Sequence, residues 1–170
     1  AATLADGETV LENAAREPEI DDLARCLIAM GAQIEGAGGE RIVIRGVKEL
    51  HGAHHRVMAD RIETGTYMAA AAITGGSLTL TGTNAGTLGA VVDAFEACGV
   101  NIARRNGSLD ITPRSDSISP TDITTQPYPG FPTDMQAQFM ALMCLADGAS
   151  LITESIFENR FMHVPELLRM

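Results

Sequence analysis

Two segments of this 170-residue sequence each contain an aspartate whose carboxylate could take part in proton transfer. Asp60 lies in Asp-Arg-Ile-Glu, residues 60–63, and Asp134 lies in Thr-Asp-Met-Gln, residues 133–136. A carboxylate at the mouth of a cleft can accept a proton from a substrate hydroxyl. Both segments also fit a capping box, in which side chains bond to the unpaired amides at the start of a helix. Residue spacing leaves both interpretations open.

Two further segments place charged side chains beside predicted helices. Glu17 and Glu19 lie on either side of a helix-initiating proline in the segment of residues 12–19, which reads Glu-Asn-Ala-Ala-Arg-Glu-Pro-Glu. Acids at such a position either complement the helix dipole or line a site. Arg160 lies in a predicted loop at residues 156–161, where a guanidinium either binds a phosphate or carboxylate or lies on the surface. Spacing decides neither case.

The sequence predicts neither a metal site nor a nucleophile. Three histidines fall within residues 51–55, but the nearby acids lie on opposite sides of this stretch, which favours a solvated connector. His163 is isolated, and phosphate-binding and nucleophile motifs are absent. The three cysteines lie among apolar neighbours in helical patterns, where a thiol packs as a small apolar group: Cys26, Cys98 and Cys144. We therefore expect no metal and no cofactor.

Composition limits the class of protein. The chain is 45% hydrophobic with a mean hydropathy of +0.08, which excludes a disordered tail. Its net charge of −10 argues against nucleic acid, because binding phosphates needs a basic face. The apolar runs are shorter than the about 18 residues of a membrane span, and no signal peptide pattern is visible. We expect a soluble cytoplasmic protein that does not bind membranes.

An internal repeat organises the chain. Similar segments begin at residues 7, 76 and 148, an interval of about 70 residues. The repeated unit is predicted as strand, helix, strand, helix and hairpin, which indicates an α/β fold. In the middle copy these elements fall at residues 55–59, 60–74, 77–81, 88–98 and 101–112, with the hairpin turn at Asn106-Gly107. Both chain ends align with positions inside helices, so we expect an internal piece of a longer protein.

Four segments carry a resemblance to a known family. They are residues 12–19, residues 60–66 (Asp-Arg-Ile-Glu-Thr-Gly-Thr), residues 131–138 (Phe-Pro-Thr-Asp-Met-Gln-Ala-Gln) and residues 157–166 (Phe-Glu-Asn-Arg-Phe-Met-His-Val-Pro-Glu). In this order they resemble the UDP-N-acetylglucosamine enolpyruvyl transferases. The resemblance implies transfer of the enolpyruvyl group of phosphoenolpyruvate to a sugar hydroxyl of UDP-N-acetylglucosamine, with release of phosphate. This reaction is the first committed step of peptidoglycan synthesis, and it implies no metal or organic cofactor.

The resemblance also implies an architecture and a domain boundary. Each of two domains is an inside-out α/β barrel of three βαβαββ units, incomplete in this chain, and the active site lies between the domains. Residues 1–57 resemble the last unit of the nucleophile-bearing domain. Residues 58–170 resemble one complete and one partial unit of the second domain.

Site residues follow from the same motifs. Asp134 matches the carboxylate that contacts the reacting hydroxyl and is the favoured general base, and Thr133 precedes it in the motif. Ile156 matches a position that contacts the nucleotide sugar through its backbone. Four further residues match positions that line the cleft: Arg160, Asp60, Glu17 and Glu19.

Departures from the family leave alternatives open. The reactive cysteine loop and the phosphoenolpyruvate-binding lysine and arginines of the family have no counterpart here, and the turn at residues 82–88 lacks an expected acid. We therefore expect no turnover by this chain alone, and an incomplete barrel predicts self-association. The alternatives are the sister transferase acting on shikimate phosphate, or a non-catalytic repeat module that binds a nucleotide sugar or a protein partner.

Overall fold

The structure is a computed structural model that describes residues 1–113 and 117–170. The chain folds into two compact units, Ala1–Met58 and Ala59–Met170. Its helices are α1 (Pro18–Ala29), α2 (Arg61–Thr74), α3 (Gly89–Ala97), α4 (Gln136–Met143) and α5 (Val164–Arg169). Its strands are β1 (Glu8–Glu12), β2 (Gln33–Glu35), β3 (Arg41–Arg45), β4 (Leu78–Thr81), β5 (Val100–Arg105), β6 (Ser108–Pro113), β7 (Ile123–Thr124) and β8 (Ile152–Thr153).

The first unit is one strand, one helix and a hairpin. β3 is the central strand and pairs antiparallel with β1 and β2. α1 begins at Pro18, where a missing amide hydrogen costs nothing because the first amides of a helix are unpaired. Ala24 of α1 and the neighbouring Ile42 and Val43 of β3 are buried. Burial of these apolar side chains stabilises the helix together with its sheet.

The second unit repeats this arrangement. β6 is the central strand between β4 and β5, in the same order as β1, β3 and β2. The hairpin of β5 and β6 turns at Asn106-Gly107, as the sequence predicts. The repeat is therefore present in the tertiary structure as well as in the sequence.

A third, partial copy follows. β7 and β8 pair in parallel with α4 between them in sequence, and α5 comes next along the chain. In the middle copy the predicted strand at residues 55–59 is wrong, because this segment has no regular structure. There His55 Nε2 lies 3.2 Å from Asp22 Oδ1, so a side-chain contact holds the segment where a strand was expected.

Helix α2 illustrates how sequence signals set the bounds of an element. The Asp60 side chain accepts bonds from the amides of Ile62 and Glu63, at 2.8 and 3.0 Å. Gly75 ends the helix with φ of 63°, a left-handed conformation that glycine adopts without a steric penalty. The predicted cap at this helix is confirmed.

One apolar core lies in the second unit. Phe139 of α4 contacts Phe95 of α3 and Phe131 edge-on, with ring centroids 5.6 and 5.4 Å apart. Such edge-to-face pairs add to the stabilisation from burial. Further side chains with no more than 2% exposure surround these rings: Met68, Leu88, Val91, Val92, Leu109, Ile111, Met135 and Leu142. This core supports the turn that precedes α4.

Large apolar side chains also lie at the surface of the second unit. Met162 and Leu168 are largely exposed, and so is Leu151. Self-association through such side chains stays a prediction. Within residues 1–113 and 117–170, none of the helices combines the length and the apolar character that a membrane crossing requires.

Candidate functional site

A short turn before α4 presents Thr133 and Asp134. Phe131 is buried, and its carbonyl accepts a bond from the Gln126 amide at 2.9 Å. The Met135 amide then donates to the Pro132 carbonyl at 3.0 Å, which closes a 3-10 turn over Thr133–Met135. Because Met135 is fully buried, the turn is anchored in the core.

The predicted capping box at this turn is wrong. Neither the turn nor α4 has a side-chain cap at its start. Thr133 instead donates to Glu154, and Asp134 accepts from Arg160; both partners follow β8 in the chain. Gln136, the fourth residue of the predicted box, is only 1% exposed, and its amide nitrogen and oxygen have no hydrogen-bond partner among the described residues. Tertiary contacts have taken the place of a local motif.

Asp134 and Arg160 form an ion pair. Arg160 Nη2 lies 2.5 Å from Asp134 Oδ1, and the two side chains are 37% and 53% exposed. Arg160 Nη1 donates to the Thr133 hydroxyl at 3.2 Å. The guanidinium also lies over the Phe157 ring, 5.4 Å from its centroid. The sequence left open whether this arginine binds an anion, and in the structure its fork faces the Asp134 carboxylate.

Glu154, directly after β8, is linked through Thr133 to the ion pair of Asp134 and Arg160. Glu154 is not among the site residues predicted from the sequence. Its Oε2 accepts from the Thr133 hydroxyl at 2.8 Å. Its Oε1 accepts from three donors: the Thr125 hydroxyl at 2.8 Å and the amides of Ile156 and Phe157 at 2.8 and 3.1 Å. The Ile156 and Phe157 amides are local partners, whereas Thr125 and Thr133 are brought to Glu154 only by folding. A local pattern therefore does not predict that Glu154 joins these segments.

The hydrogen bonds set the charge state of Glu154. Burial acts to raise the pKa of its carboxyl. The bonds from Thr133, the Ile156 amide, Thr125 and the Phe157 amide act in the opposite direction, and the net effect lowers the pKa below its usual value for glutamate. Glu154 is therefore an anion that only accepts hydrogen bonds at neutral pH.

Four of the predicted site residues lie together in the second unit. Thr133, Asp134 and Arg160 are bonded to one another directly, and the Ile156 amide shares Glu154 with Thr133. The Ile156 side chain is exposed.

The remaining predicted site residues lie elsewhere. Asp60 is exposed at the start of α2, where its carboxylate caps the helix. Glu17 and Glu19 belong to the first unit. Glu17 precedes Pro18 at the start of α1, and Glu19 lies in the first turn, as expected for acids near the positive end of a helix dipole.

The cysteines differ from one another. Cys98 is buried, and burial raises its pKa to about 11, so its thiol stays protonated at neutral pH. Cys26 is half-buried, whereas Cys144 is exposed, so the expectation that every cysteine packs among apolar neighbours is wrong for Cys144. In the described parts of the chain, no three histidine, cysteine or acidic side chains are grouped as a metal would require.

Comparison with known proteins identifies the family. The family model described as EPSP synthase (3-phosphoshikimate 1-carboxyvinyltransferase) matches residues 1–170. The chain belongs to the EPSP synthase family. Within this family, it is 61% identical to the UDP-N-acetylglucosamine 1-carboxyvinyltransferase of Gluconobacter oxydans and 58% identical to that of Ruegeria pomeroyi. Each match covers 100% of the chain and 40% of the relative, so the chain spans about two fifths of their length.

Solved structures of enolpyruvyl transferases share the fold. The enolpyruvyl transferase NikO from Streptomyces tendae superposes with a TM-score of 0.84 at 26% identity, over 97% of this chain and 40% of that one. EPSP synthase from Acinetobacter baumannii gives a TM-score of 0.68 at 21% identity, over 99% and 40%. The predicted α/β fold of enolpyruvyl transferases is confirmed, and within residues 1–113 and 117–170 the sheets do not close into a barrel.

Proposed function

We propose that the whole protein is a UDP-N-acetylglucosamine enolpyruvyl transferase. The observation that carries this proposal is the 56–61% identity to six relatives of that name, across at least 99% of the chain. The enolpyruvyl group comes from phosphoenolpyruvate, the acceptor is a sugar hydroxyl, and phosphate is released. The product belongs to peptidoglycan synthesis and hence to cell-wall formation. The cytoplasmic location that the sequence predicts suits this role.

Asp134 is the general base in this proposal. As the hydroxyl oxygen bonds to the enolpyruvyl carbon, the hydroxyl proton must pass to an acceptor, and a carboxylate within hydrogen-bond reach provides one. Support comes from the half-exposed carboxylate and from the bond to Arg160, which restricts its rotation. A base held in one orientation loses less entropy when the substrate binds.

Thr133, Ile156 and Arg160 position the substrate and the base. The Ile156 amide already donates to Glu154, so its backbone contact to the nucleotide sugar would use the carbonyl oxygen as an acceptor. Arg160 orients Asp134, and Thr133 orients Arg160. These roles extend the family motif with the bonds found in this chain.

The proposal assigns Asp60, Glu17 and Glu19 to the lining of the cleft. It also assigns residues 1–57 to the last unit of the nucleophile-bearing domain, and residues 58–170 to the second domain. The two compact units, which separate after Met58, suit that assignment. No metal or organic cofactor takes part in the proposed reaction.

The assay that tests the proposal measures phosphate release from phosphoenolpyruvate by the whole protein. UDP-N-acetylglucosamine and shikimate 3-phosphate are supplied separately as acceptors. We expect release with the nucleotide sugar alone. Release with shikimate 3-phosphate alone would assign the protein to the reaction for which the family model is described. Release with neither acceptor would favour a non-catalytic module.

A further inference from the structure

We propose that Glu154 is a positioning residue for the transfer reaction: it fixes the Thr133 hydroxyl, which holds Arg160 against Asp134. The inference rests on the proposed function, because it names the residue that orients the base of that reaction. None of the four sequence segments that resemble the family includes Glu154. The arrangement of hydrogen bonds around the two oxygens of Glu154 supports this role.

The direction of each hydrogen bond in this series is determined by chemistry. The Glu154 carboxylate only accepts, so Thr133, 2.8 Å from Oε2, must donate to it. The Arg160 guanidinium only donates, so the same hydroxyl must accept from Nη1, at 3.2 Å. The hydroxyl hydrogen therefore has one orientation. A second nitrogen of the guanidinium then reaches Asp134 at 2.5 Å.

The two oxygens of Glu154 have separate partners. Oε1 accepts hydrogen bonds from the Thr125 hydroxyl and from the amides of Ile156 and Phe157. These three bonds anchor the loop after β8. A second link joins the same strand ends, because the Ser155 amide donates to the Thr125 hydroxyl at 2.9 Å. Oε2 accepts from the Thr133 hydroxyl, which belongs to the turn before α4. Anchoring of the loop and orientation of Thr133 can therefore be separated experimentally.

The substitution Glu154→Gln separates anchoring of the loop from orientation of the Thr133 hydroxyl. A glutamine amide has one oxygen, which keeps the most bonds by facing the three donors at the Oε1 position. Its NH2 group then faces Thr133, where a donor replaces the acceptor. The loop stays anchored while the Thr133 hydroxyl loses its partner and Arg160 is no longer fixed. Misplacement of a catalytic group by about 1 Å can cost up to about 100-fold in rate.

The experiment measures kcat, KM for UDP-N-acetylglucosamine and Tm for variants of the whole protein. Glu154→Gln and Thr133→Val cut the same link from opposite sides, and the double variant combines them. Thr133→Ser keeps the hydroxyl and is the conservative rescue. Glu96→Gln is the matched control, because its carboxylate also accepts from an arginine, Arg104 at 3.0 Å, but on the surface of α3.

The inference predicts a loss in kcat of about 10- to 100-fold for Glu154→Gln and for Thr133→Val, with smaller changes in KM. The double variant should lose no more kcat than the more impaired of the two single variants, because both substitutions break the same link. Thr133→Ser should recover most of the kcat that Thr133→Val loses, because the hydroxyl is retained. The Glu96→Gln control should keep kcat within about threefold of wild type, and the Tm of Glu154→Gln should stay within a few degrees of wild type.

Two results would overturn the inference: unchanged kcat in Glu154→Gln, or losses that multiply in the double variant. If Glu154→Gln does not fold, the comparison of Thr133→Val with Thr133→Ser tests the inference. Full kcat in Thr133→Val would show that the hydrogen bond between Thr133 and Glu154 is not used. If the wild-type protein has no activity with the nucleotide sugar, the proposed function fails separately. Crystal structures of wild type and Glu154→Gln then test the inference, and an unchanged Arg160–Asp134 contact would overturn it.

Discussion

The Arg160 guanidinium lies 2.5 Å from the Asp134 carboxylate and joins the loop after β8 to the turn before α4. The two residues are 26 positions apart in the chain, and each belongs to a different segment of the family resemblance. With side chains 37% and 53% exposed, the ion pair contributes little to stability but does restrict where each group points.

Asp134→Asn in the whole protein should lower kcat by about 100-fold or more. The amide can still accept a hydrogen bond from Arg160, but it cannot take a proton from the substrate hydroxyl. Tm should change little, because only an exposed ion pair is altered. Asp93→Asn is the matched control: its carboxylate is 76% exposed and lies 3.8 Å from Arg104. Unchanged kcat in Asp134→Asn would leave Asp134 with an orienting role only.

The chain of 170 residues by itself should not release phosphate when supplied with phosphoenolpyruvate and UDP-N-acetylglucosamine. It covers 40% of the length of its relatives, and its sequence has no counterpart of the family's reactive cysteine loop, on which the proposed reaction depends. The measurement is a phosphate-release assay with and without the nucleotide sugar, beside the whole protein at the same concentration. Sugar-dependent release by the chain alone would contradict the prediction.

Gly65→Ala should destabilise the second unit. A Cβ atom at Gly65 would lie 2.7 Å from Met135 Sδ and 2.8 Å from its Cε, and Met135 is fully buried. Overpacking of this kind costs about 1–3 kcal/mol, and the shift of Met135 would also disturb its neighbour Asp134. We expect a lower Tm and a lower kcat.

Two variants control for this substitution. At Gly89 of α3 an added Cβ meets nothing within 4 Å, so Gly89→Ala should leave Tm unchanged or slightly raised. Adding Met135→Ala to Gly65→Ala removes the clashing atoms and should recover part of kcat, although the shortened side chain itself costs stability. Equal Tm values for Gly65→Ala and wild type would show that the core accommodates the extra methyl group.

Glu154 should contribute to acid sensitivity. Its pKa is lower in the folded protein than the usual value of 4.5. A lowered pKa means that the unfolded state binds the proton more readily, so the stabilisation is present above pH 4.5 and is lost as the pH falls through the folded pKa. Protonation would place a hydrogen on an oxygen that now accepts from hydroxyl or amide donors.

The measurement is the free energy of unfolding against pH for wild type and Glu154→Gln. Other carboxylates titrate in both proteins and cancel in the difference. That difference should be largest near neutral pH and should shrink below about pH 4.5. A difference that does not vary with pH would contradict the assignment of a lowered pKa to Glu154.

Local sequence signals predicted the helices and strands well where the cause is local. The Asp60 cap, the glycines after Thr74 and the hairpin turn at Asn106-Gly107 each act within a few residues, and each predicted element is present. The same reasoning failed at residues 133–136, which match a capping box but form a 3-10 turn. There the side chains have partners from distant segments, which a local pattern does not contain.

The sequence by itself determined the repeat, the α/β class and the family, and it predicted most of the residues that the proposal assigns to the site. These follow from periodicity, turn chemistry and motif order, all of which are properties of neighbours along the chain. Only the tertiary structure decided that Arg160 faces Asp134 and that Glu154 joins Thr133 to the loop. The physical reason is that hydrogen bonds between residues more than 20 positions apart depend on how the turn before α4 and the end of β8 are brought together by folding.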